Sequence, residues 1–466
     1  MLKKIICTIG ITSLLVMSLS ACGNNNSSDP VSTATDPVST ANDTSSTENS
    51  TESSTENISL NYVSWMTKGE DLPVLDSFME ENSNIRITNQ SLDGSNYEQL
   101  LNTMMLGGSV PDVFLVNPSM IPDLVKNGYI KPLDGIAGIE NQSKNQEITR
   151  LLSADGKTYG FAINGSIGDP FVYYNTLFFE EHNLEIPTTL EEFEQLLTDI
   201  AALGETPLAV SPGDLWSAMY STRQIFFNKA FALNMVAPHN AELSILTGET
   251  KLSDLYRESF EKLSYYMSND WISKDTLSMG WEQSAQYLVD GGAQLFVSGP
   301  WVPSSTPVAE SEPEVFELGA FPLPYERLSD GNYYANSSVD RVLVLSANSE
   351  NPEAAQKFFE YFISDDVLRE YLESQGLTGM NIETVADPVF EYSYKFFNEE
   401  NVVLNFAVMS KMPPGYNANV NQYAADIYTG SNVDELLERI DADYEAAMST
   451  VDLQEYIDAI KELQNK

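Results

Sequence analysis

Side chains able to do covalent or metal chemistry are scarce in this chain. Its 466 residues hold two cysteines and two histidines. Cys7 and Cys22 both fall in an N-terminal segment whose processing would remove the first and modify the second, so the mature fold is expected to have no free thiol. That excludes a thiolate metal site, a cysteine nucleophile and a disulfide framework together. His182 and His239 alone cannot supply a three-histidine zinc site. No H-E-x-x-H, G-x-S-x-G or G-x-G-x-x-G string occurs, and Gly156-Lys157-Thr158 ends like a phosphate-binding loop but has Leu151 where that loop needs glycine. An Asp-x-Asp-x-Asp-Gly calcium loop is also missing. The chain is therefore expected to need no cofactor and no metal. Carboxylates are plentiful, with 68 Asp and Glu, and because hydrolysis of a glycosidic bond needs only two suitably spaced acids, the sequence leaves that reaction open.

Those 68 acids face only 24 basic residues, a formal charge of -44. A polyanion is bound mainly by Lys and Arg neutralising phosphates, and no basic run is longer than Lys3-Lys4, so nucleic acid is excluded as a partner. At 42% hydrophobic and 11% aromatic the composition is that of a folded globular protein, long enough for two or three domains. The acidity is read as a solubility feature.

The first residues are an address and not part of the fold. Two lysines precede an uncharged, largely apolar run from Ile5 to Ala21 that ends in small residues, the layout of a secretory signal. The run is short for a ~30 Å hydrocarbon core, which makes a retained membrane helix the competing reading. Leu19-Ser20-Ala21-Cys22 resembles the bacterial lipobox, which implies cleavage after residue 21 and a lipid on Cys22. From Gly23 to Asn57 the chain is Ser, Thr, Asn, Asp, Glu, Pro and small residues, and Asp29-Pro-Val-Ser-Thr-Ala34 recurs as Asp36-Pro-Val-Ser-Thr-Ala41. Such a segment cannot build a core and is expected to be a disordered tether, with a reach of roughly 30-35 Å for a flexible chain of this length.

The body begins at Ile58. Ile58–Val63, Asn84–Thr88 and Asp112–Val116 read as buried strands separated by helical periodicity, the alternation of an α/β fold. Thr189 with Glu192 forms a capping box ahead of an apolar face made by Leu190, Phe193, Leu196, Leu197, Ile200 and Leu203. Asn351-Pro352 opens a second helix carrying Phe358, Phe359 and Phe362, and Ser431 with Asp434 opens a third carrying Leu436, Leu437 and Ile440. These stripes are core faces.

Six stretches resemble the extracellular solute-binding proteins of ATP-binding-cassette importers, the family of the maltose- and oligosaccharide-binding proteins. They are Gly108-Ser-Val-Pro-Asp-Val-Phe114, Asp155-Gly-Lys-Thr-Tyr-Gly160, Val172-Tyr-Tyr-Asn175, Ile186-Pro-Thr-Thr-Leu-Glu-Glu-Phe193, Gly291-Gly-Ala-Gln-Leu-Phe-Val-Ser-Gly-Pro-Trp301 and Ser346-Ala-Asn-Ser-Glu-Asn-Pro-Glu-Ala-Ala355. Thr189-Leu190 and Gln294-Leu295 depart from the family's usual Thr-Trp and Ala-Met. The resemblance implies a two-lobed periplasmic-binding-protein-like α/β fold with discontinuous lobes and hinge crossings near Gly168, Asp340 and Asp387-Pro388. Residues 58–167 and 341–390 are then one lobe, and 168–340 and 391–466 the other, with residues 1–21 the signal and 22–57 the lipidated tether.

It implies also a carbohydrate ligand, an oligosaccharide, held between the lobes and delivered to membrane permease subunits by a monomeric, lipid-anchored protein at the outer face of the cell membrane, with no bond made or broken. A sugar has an apolar C–H face and a hydroxyl rim, so its site needs flat aromatics and planar polar groups. Trp216 and Trp301 stand where relatives place stacking aromatics; Trp65 and Tyr416 are further candidates, while Trp271 and Trp281 are structural. Lys68, Asn117, Asp169 and Asp340 are the polar candidates, a carboxylate accepting sugar hydroxyls through charge-assisted hydrogen bonds. Whether Asp340 and its neighbour Arg341 face the cleft or the hinge is not decided by sequence. The competing functions are a binding protein for a cationic ligand such as a polyamine, a surface-anchored glycoside hydrolase, and an adhesive lipoprotein.

Overall fold

The computed structural model describes residues 57–66, 69–142, 148–149, 152–218, 240–324, 333–385, 387–399, 402–406 and 416–449, and beyond them 453–454, 457–458 and 461. The signal, lipobox and tether lie outside this set. The body forms one unit, Thr55–Lys466, with two principal sheets.

The first sheet has the order β12-β11-β3-β1-β2 with β6 also paired to β11. Its strands are β1 (Ile58–Ser64), β2 (Ile85–Ser91), β3 (Val113–Val116), β6 (Phe161–Asp169), β11 (Tyr333–Leu345) and β12 (Val402–Phe406). A small hairpin, β4 (Ser153–Ala154) with β5 (Lys157–Thr158), precedes β6. β1 runs parallel to β2 and β3, and β3 is wholly apolar because both faces are covered. On one face Leu60 and Leu115 pack with Phe78, Phe358 and Phe362; on the other Val63 and Phe114 pack with Tyr97 and Leu101.

The second sheet has the order β10-β7-β9-β8, from β7 (Phe171–Asn175), β8 (Leu208–Ala209), β9 (Leu295–Ser298) and β10 (Leu318–Pro322). Alternation along β7 assigns its two faces, as the period of two in a strand requires. Val172 and Tyr174 join the core under helices Leu190–Ala202, Leu252–Ser268, Tyr416–Tyr428 and Val433–Met448, while Phe171 and Tyr173 join Ala285, Leu288, Phe296 and Phe390 on the other side.

The sheets are linked by β6 and β11, which pair antiparallel along most of their length. β6 ends at Asp169, Pro170 interrupts the strand as its missing N–H and fixed φ dictate, and β7 begins at Phe171 in the other sheet. The pairing slips between Asn336 and Ser337, between Val339 and Arg341, and between Arg341 and Val342. Irregularities of this kind bend a strand and sharpen its twist.

The expected helix starts are found with small shifts. Thr189 accepts from the Glu192 N–H at 3.2 Å and Glu192 accepts from the Thr189 N–H at 3.2 Å, a complete capping box. Asn351 stands before Pro352, but its side chain donates to the Ser59 carbonyl of β1 at 3.2 Å and makes no capping bond. The third start is corrected by one residue: Asn432, and not Ser431, caps Val433–Met448, accepting from the Glu435 N–H at 3.1 Å.

Candidate functional site

Strand registers bring five of the candidate residues to the carboxyl edges of the two sheets. Val63 of β1 lies opposite Phe114 of β3, and Val116 of β3 opposite Val342 of β11. Extending these registers sets Trp65, Asn117 and Asp340 along the edge where β1 and β3 end. In the second sheet β8 and β9 run parallel, Ala209 opposite Phe296, so the segments leading to Trp216 and Trp301 leave by the carboxyl edge. Phe171, where the chain arrives from the first sheet, lies opposite Ser298 at that same edge. The carboxyl edges of both sheets therefore border the crossing, and the crevice outside such strand ends is where open α/β sheets take ligands.

Trp65 is half-buried, set edge-on to Tyr97 with centroids 4.9 Å apart. Its turn is pinned: the Leu92 N–H donates to Ser64 O at 2.9 Å, and Ser91 Oγ donates to Met66 O at 2.8 Å. Tyr97 is itself held by a bond from its hydroxyl to Leu115 O at 2.6 Å. Asn117 is exposed beyond β3 and makes no capping bond.

Trp216 and Trp301 come together, their rings 5.7 Å apart at 63°. Trp216 lies in the first turn of a helical segment that begins at Leu215, and the turn before it, residues 211–214, is clamped to the start of helix Trp281–Val289. Gly213 donates to Met279 O at 2.9 Å and the Asp214 carboxylate accepts from the Trp281 N–H at 2.8 Å. Neither glycine of the clamp has room for a side chain: a Cβ at Gly213 would lie 2.6 Å from the Met279 backbone, and one at Gly280 2.7 Å from Asp214 Oδ2. Trp301 is half-buried and packs against the cores of both sheets. Trp281 starts the clamped helix and Trp271 is buried in the second core.

Asp340 and Arg341 part company. Arg341 is buried, its Nη1 donating to Tyr371 Oη at 2.8 Å and to Gln375 Oε1 at 2.7 Å. Tyr371 in turn donates to Asp71 Oδ1 at 2.7 Å and Tyr62 donates to Asp71 Oδ2 at 3.1 Å. Desolvation alone would disfavour the Arg341 charge, but Tyr371, Asp340 and Asp71 outweigh it and hold the guanidinium firmly protonated. Burial raises the Asp71 carboxyl above its ordinary value, even though Ser64, Tyr371, Arg341 and Tyr62 pull it down.

Asp340, by contrast, keeps 38% of its side chain accessible, 3.8 Å from Arg341 Nε. Desolvation nonetheless raises its carboxyl, with Arg341 and a hydrogen bond from Asn164 opposing the rise. Asn164, almost fully buried, escaped the sequence reading; its one signal is an asparagine interrupting the apolar run Phe161-Ala162-Ile163. Asp214 escaped as well, since a clamp between distant loops has no local pattern.

The other candidates are described in part or not at all. Asp169 ends β6 opposite Asn336 and Tyr416 begins its helix, but their side chains are outside the described set, as are Lys68, Cys22 and His239 altogether. Among the described residues no group of three or more His, Cys, Asp or Glu could hold a metal ion, and no helix is long and apolar enough to cross a membrane.

Two α/β lobes linked by strand crossings, with aromatic and carboxylate groups at the facing strand ends, define a two-lobed binding protein. The chain belongs to the bacterial extracellular solute-binding protein family, whose family model matches residues 64–368. It is similar to the multiple sugar-binding protein of Streptococcus mutans, at 24% identity over 65% of this chain and 70% of the relative. An uncharacterized ABC transporter extracellular-binding protein of Pyrococcus horikoshii is 22% identical over 81% of this chain and 85% of its own length. Among solved structures, the solute-binding protein RafE in complex with raffinose superposes with a TM-score of 0.68 at 19% identity, covering 84% of this chain and 99% of that one.

Proposed function

We propose that this protein captures an oligosaccharide between its lobes outside the cell and hands it to the permease of an ATP-binding-cassette importer. The observation that carries the reading is the Trp216–Trp301 pair, two indoles 5.7 Å apart beside the crossing, with Trp65 and Asp340 at the opposing edge. The indoles stack the C–H face of a sugar ring and Asp340 accepts from its hydroxyls. Asn117, Lys68, Asp169 and Tyr416 complete the set of contacts. Similarity to a multiple sugar-binding protein and to a raffinose-bound structure supports the same ligand class.

The lobes in this reading are residues 58–167 with 341–390 and residues 168–340 with 391–466. The packing of Phe358 and Tyr371 in the first core, and of Tyr423 and Leu437 in the second, supports that division; Phe390 packs instead in the second core, and β12 with the first half of β11 pairs in the first sheet, so those segments cross the boundary. Ligand touching both lobes favours the closed state by its differential affinity, and the permease reads closure. A lipid on Cys22 and the tether keep the monomer at the membrane. No bond is made or broken, and no cofactor takes part.

Incubation with raffinose and a panel of longer oligosaccharides, followed by assay of reducing ends, tests the last point. Intrinsic fluorescence should change saturably with at least one sugar and no reducing ends should appear; new reducing ends would make the protein a hydrolase. A fluorescence response to spermidine alone would replace the sugar by a cationic ligand.

A further inference from the structure

Gly299, Pro300 and Trp301 follow β9 directly. The Trp301 indole folds back over Gly299: a Cβ added there would lie 2.2 Å from Cη2, 2.3 Å from Cζ3 and 2.6 Å from Cζ2. Carbon atoms approach no closer than about 3.5 Å without repulsion, so any side chain at this position must displace the ring. Pro300, between the two residues, has its own φ fixed by its ring. Beneath the turn, Tyr173 of β7 is completely buried, and its hydroxyl donates to the Gly299 carbonyl at 2.6 Å. Tyr173 lies opposite Phe296 in the sheet, so the hydroxyl reaches past the end of β9 to hold the peptide that follows it.

We propose that Gly299 and Tyr173 are positioning residues that hold the Trp301 indole against Trp216 and so set the aromatic corner of the ligand site. The inference rests on the reading that these indoles meet the ligand, but the geometry it concerns exists without ligand. Glycine supplies a surface flat enough for the ring to lie against, and the buried tyrosine fixes the height of that surface. An indole whose orientation is set before binding loses less freedom when the sugar arrives.

A structural need for glycine alone would look different. Gly292 is in comparably tight contact with another aromatic ring of the same lobe, a Cβ there lying 2.3 Å from Tyr287 Cε2. Gly292→Ala therefore overpacks the lobe to a similar extent without touching the indole pair.

The test uses the body Thr55–Lys466, the unit that contains every described core. Indoles 5.7 Å apart at 63° couple excitonically and give a couplet in circular dichroism, with Trp216→Phe defining its absence. Gly299→Ala and Tyr173→Phe are expected to lose at least half of the couplet and to weaken sugar binding at least tenfold, whereas Gly292→Ala keeps the couplet. Should Gly299→Ala fail to fold, Tyr173→Phe decides. A full couplet in Tyr173→Phe, or its equal loss in Gly292→Ala, overturns the assignment. If the unmodified body binds no sugar, the functional reading fails while the couplet still decides the positioning.

Discussion

Asp340 and Arg341 are neighbours on one strand with opposite fates, at the point where the pairing of β11 with β6 slips and the strand bends. Arg341 is absorbed by Tyr371 and Gln375, while Asp340 keeps its access to solvent. Burial lifts the Asp340 carboxyl above the ordinary 3.8, which has two consequences of opposite sign. A raised folded value means that folding favours the protonated acid, so this residue's stabilising share is full below the unfolded value and lost as pH rises through the folded one. In the proposed site Asp340 accepts sugar hydroxyls as the ionised acid, so affinity is predicted to fall as pH is lowered into the same window, which lies above 3.8. Calorimetry across that window should show Asp340→Asn binding sugar more weakly at neutral pH, by about 1-3 kcal/mol, with the pH dependence gone; an unchanged pH profile would remove Asp340 from the site. At this scale motifs in the sequence marked Trp216 and Trp301, whose rings the structure brings together. The sequence was silent where a role depends on a partner across the fold, as with Asn164 beside Asp340 and Asp214 under Trp281.

Among the elements, β6 and β11 decide how the lobes are joined. Neither stands out in the sequence, for the first half of β11 is Tyr-Tyr-Ala-Asn-Ser-Ser, a composition without the apolar alternation that marks β1 or β3. Pairing with β6 and β12 makes it a strand, and that pairing is non-local. The start of the Leu190–Ala202 helix was legible to the residue because its capping box is local chemistry, but Leu203, expected on its core face, is the C-cap residue and is exposed. Helix Asp365–Glu373 shows what local chemistry misses: Tyr371 bonds at once to Asp71 before the first helix and to Arg341 on β11, tying three elements at the base of the crossing. Tyr371→Phe leaves both a buried carboxylate and a buried guanidinium short of a partner, at a cost of about 1-3 kcal/mol. Urea unfolding should show that loss, and a variant as stable as the parent would mean that water or Gln375 replaces the hydroxyl without penalty.

For the whole molecule, the α/β class and the two lobes could be read from alternating strand and helix patterns and from ordered short motifs, and the family match over residues 64–368 agrees with them. What the pattern could not show is how the lobes' strand ends come to border one crossing, because that follows from registers between strands far apart in the chain. The strong acidity, -44 over the chain, says little about the ligand beyond disfavouring anions. The central claim is that a sugar is held at this border by aromatic stacking, and calorimetric titration of the body Thr55–Lys466 with mono- and oligosaccharides tests it most directly. Saturable one-to-one binding of one oligosaccharide class is expected, with Trp301→Ala binding at least tenfold more weakly. Heat from spermidine with none from any sugar, or full sugar affinity in Trp301→Ala, would contradict it.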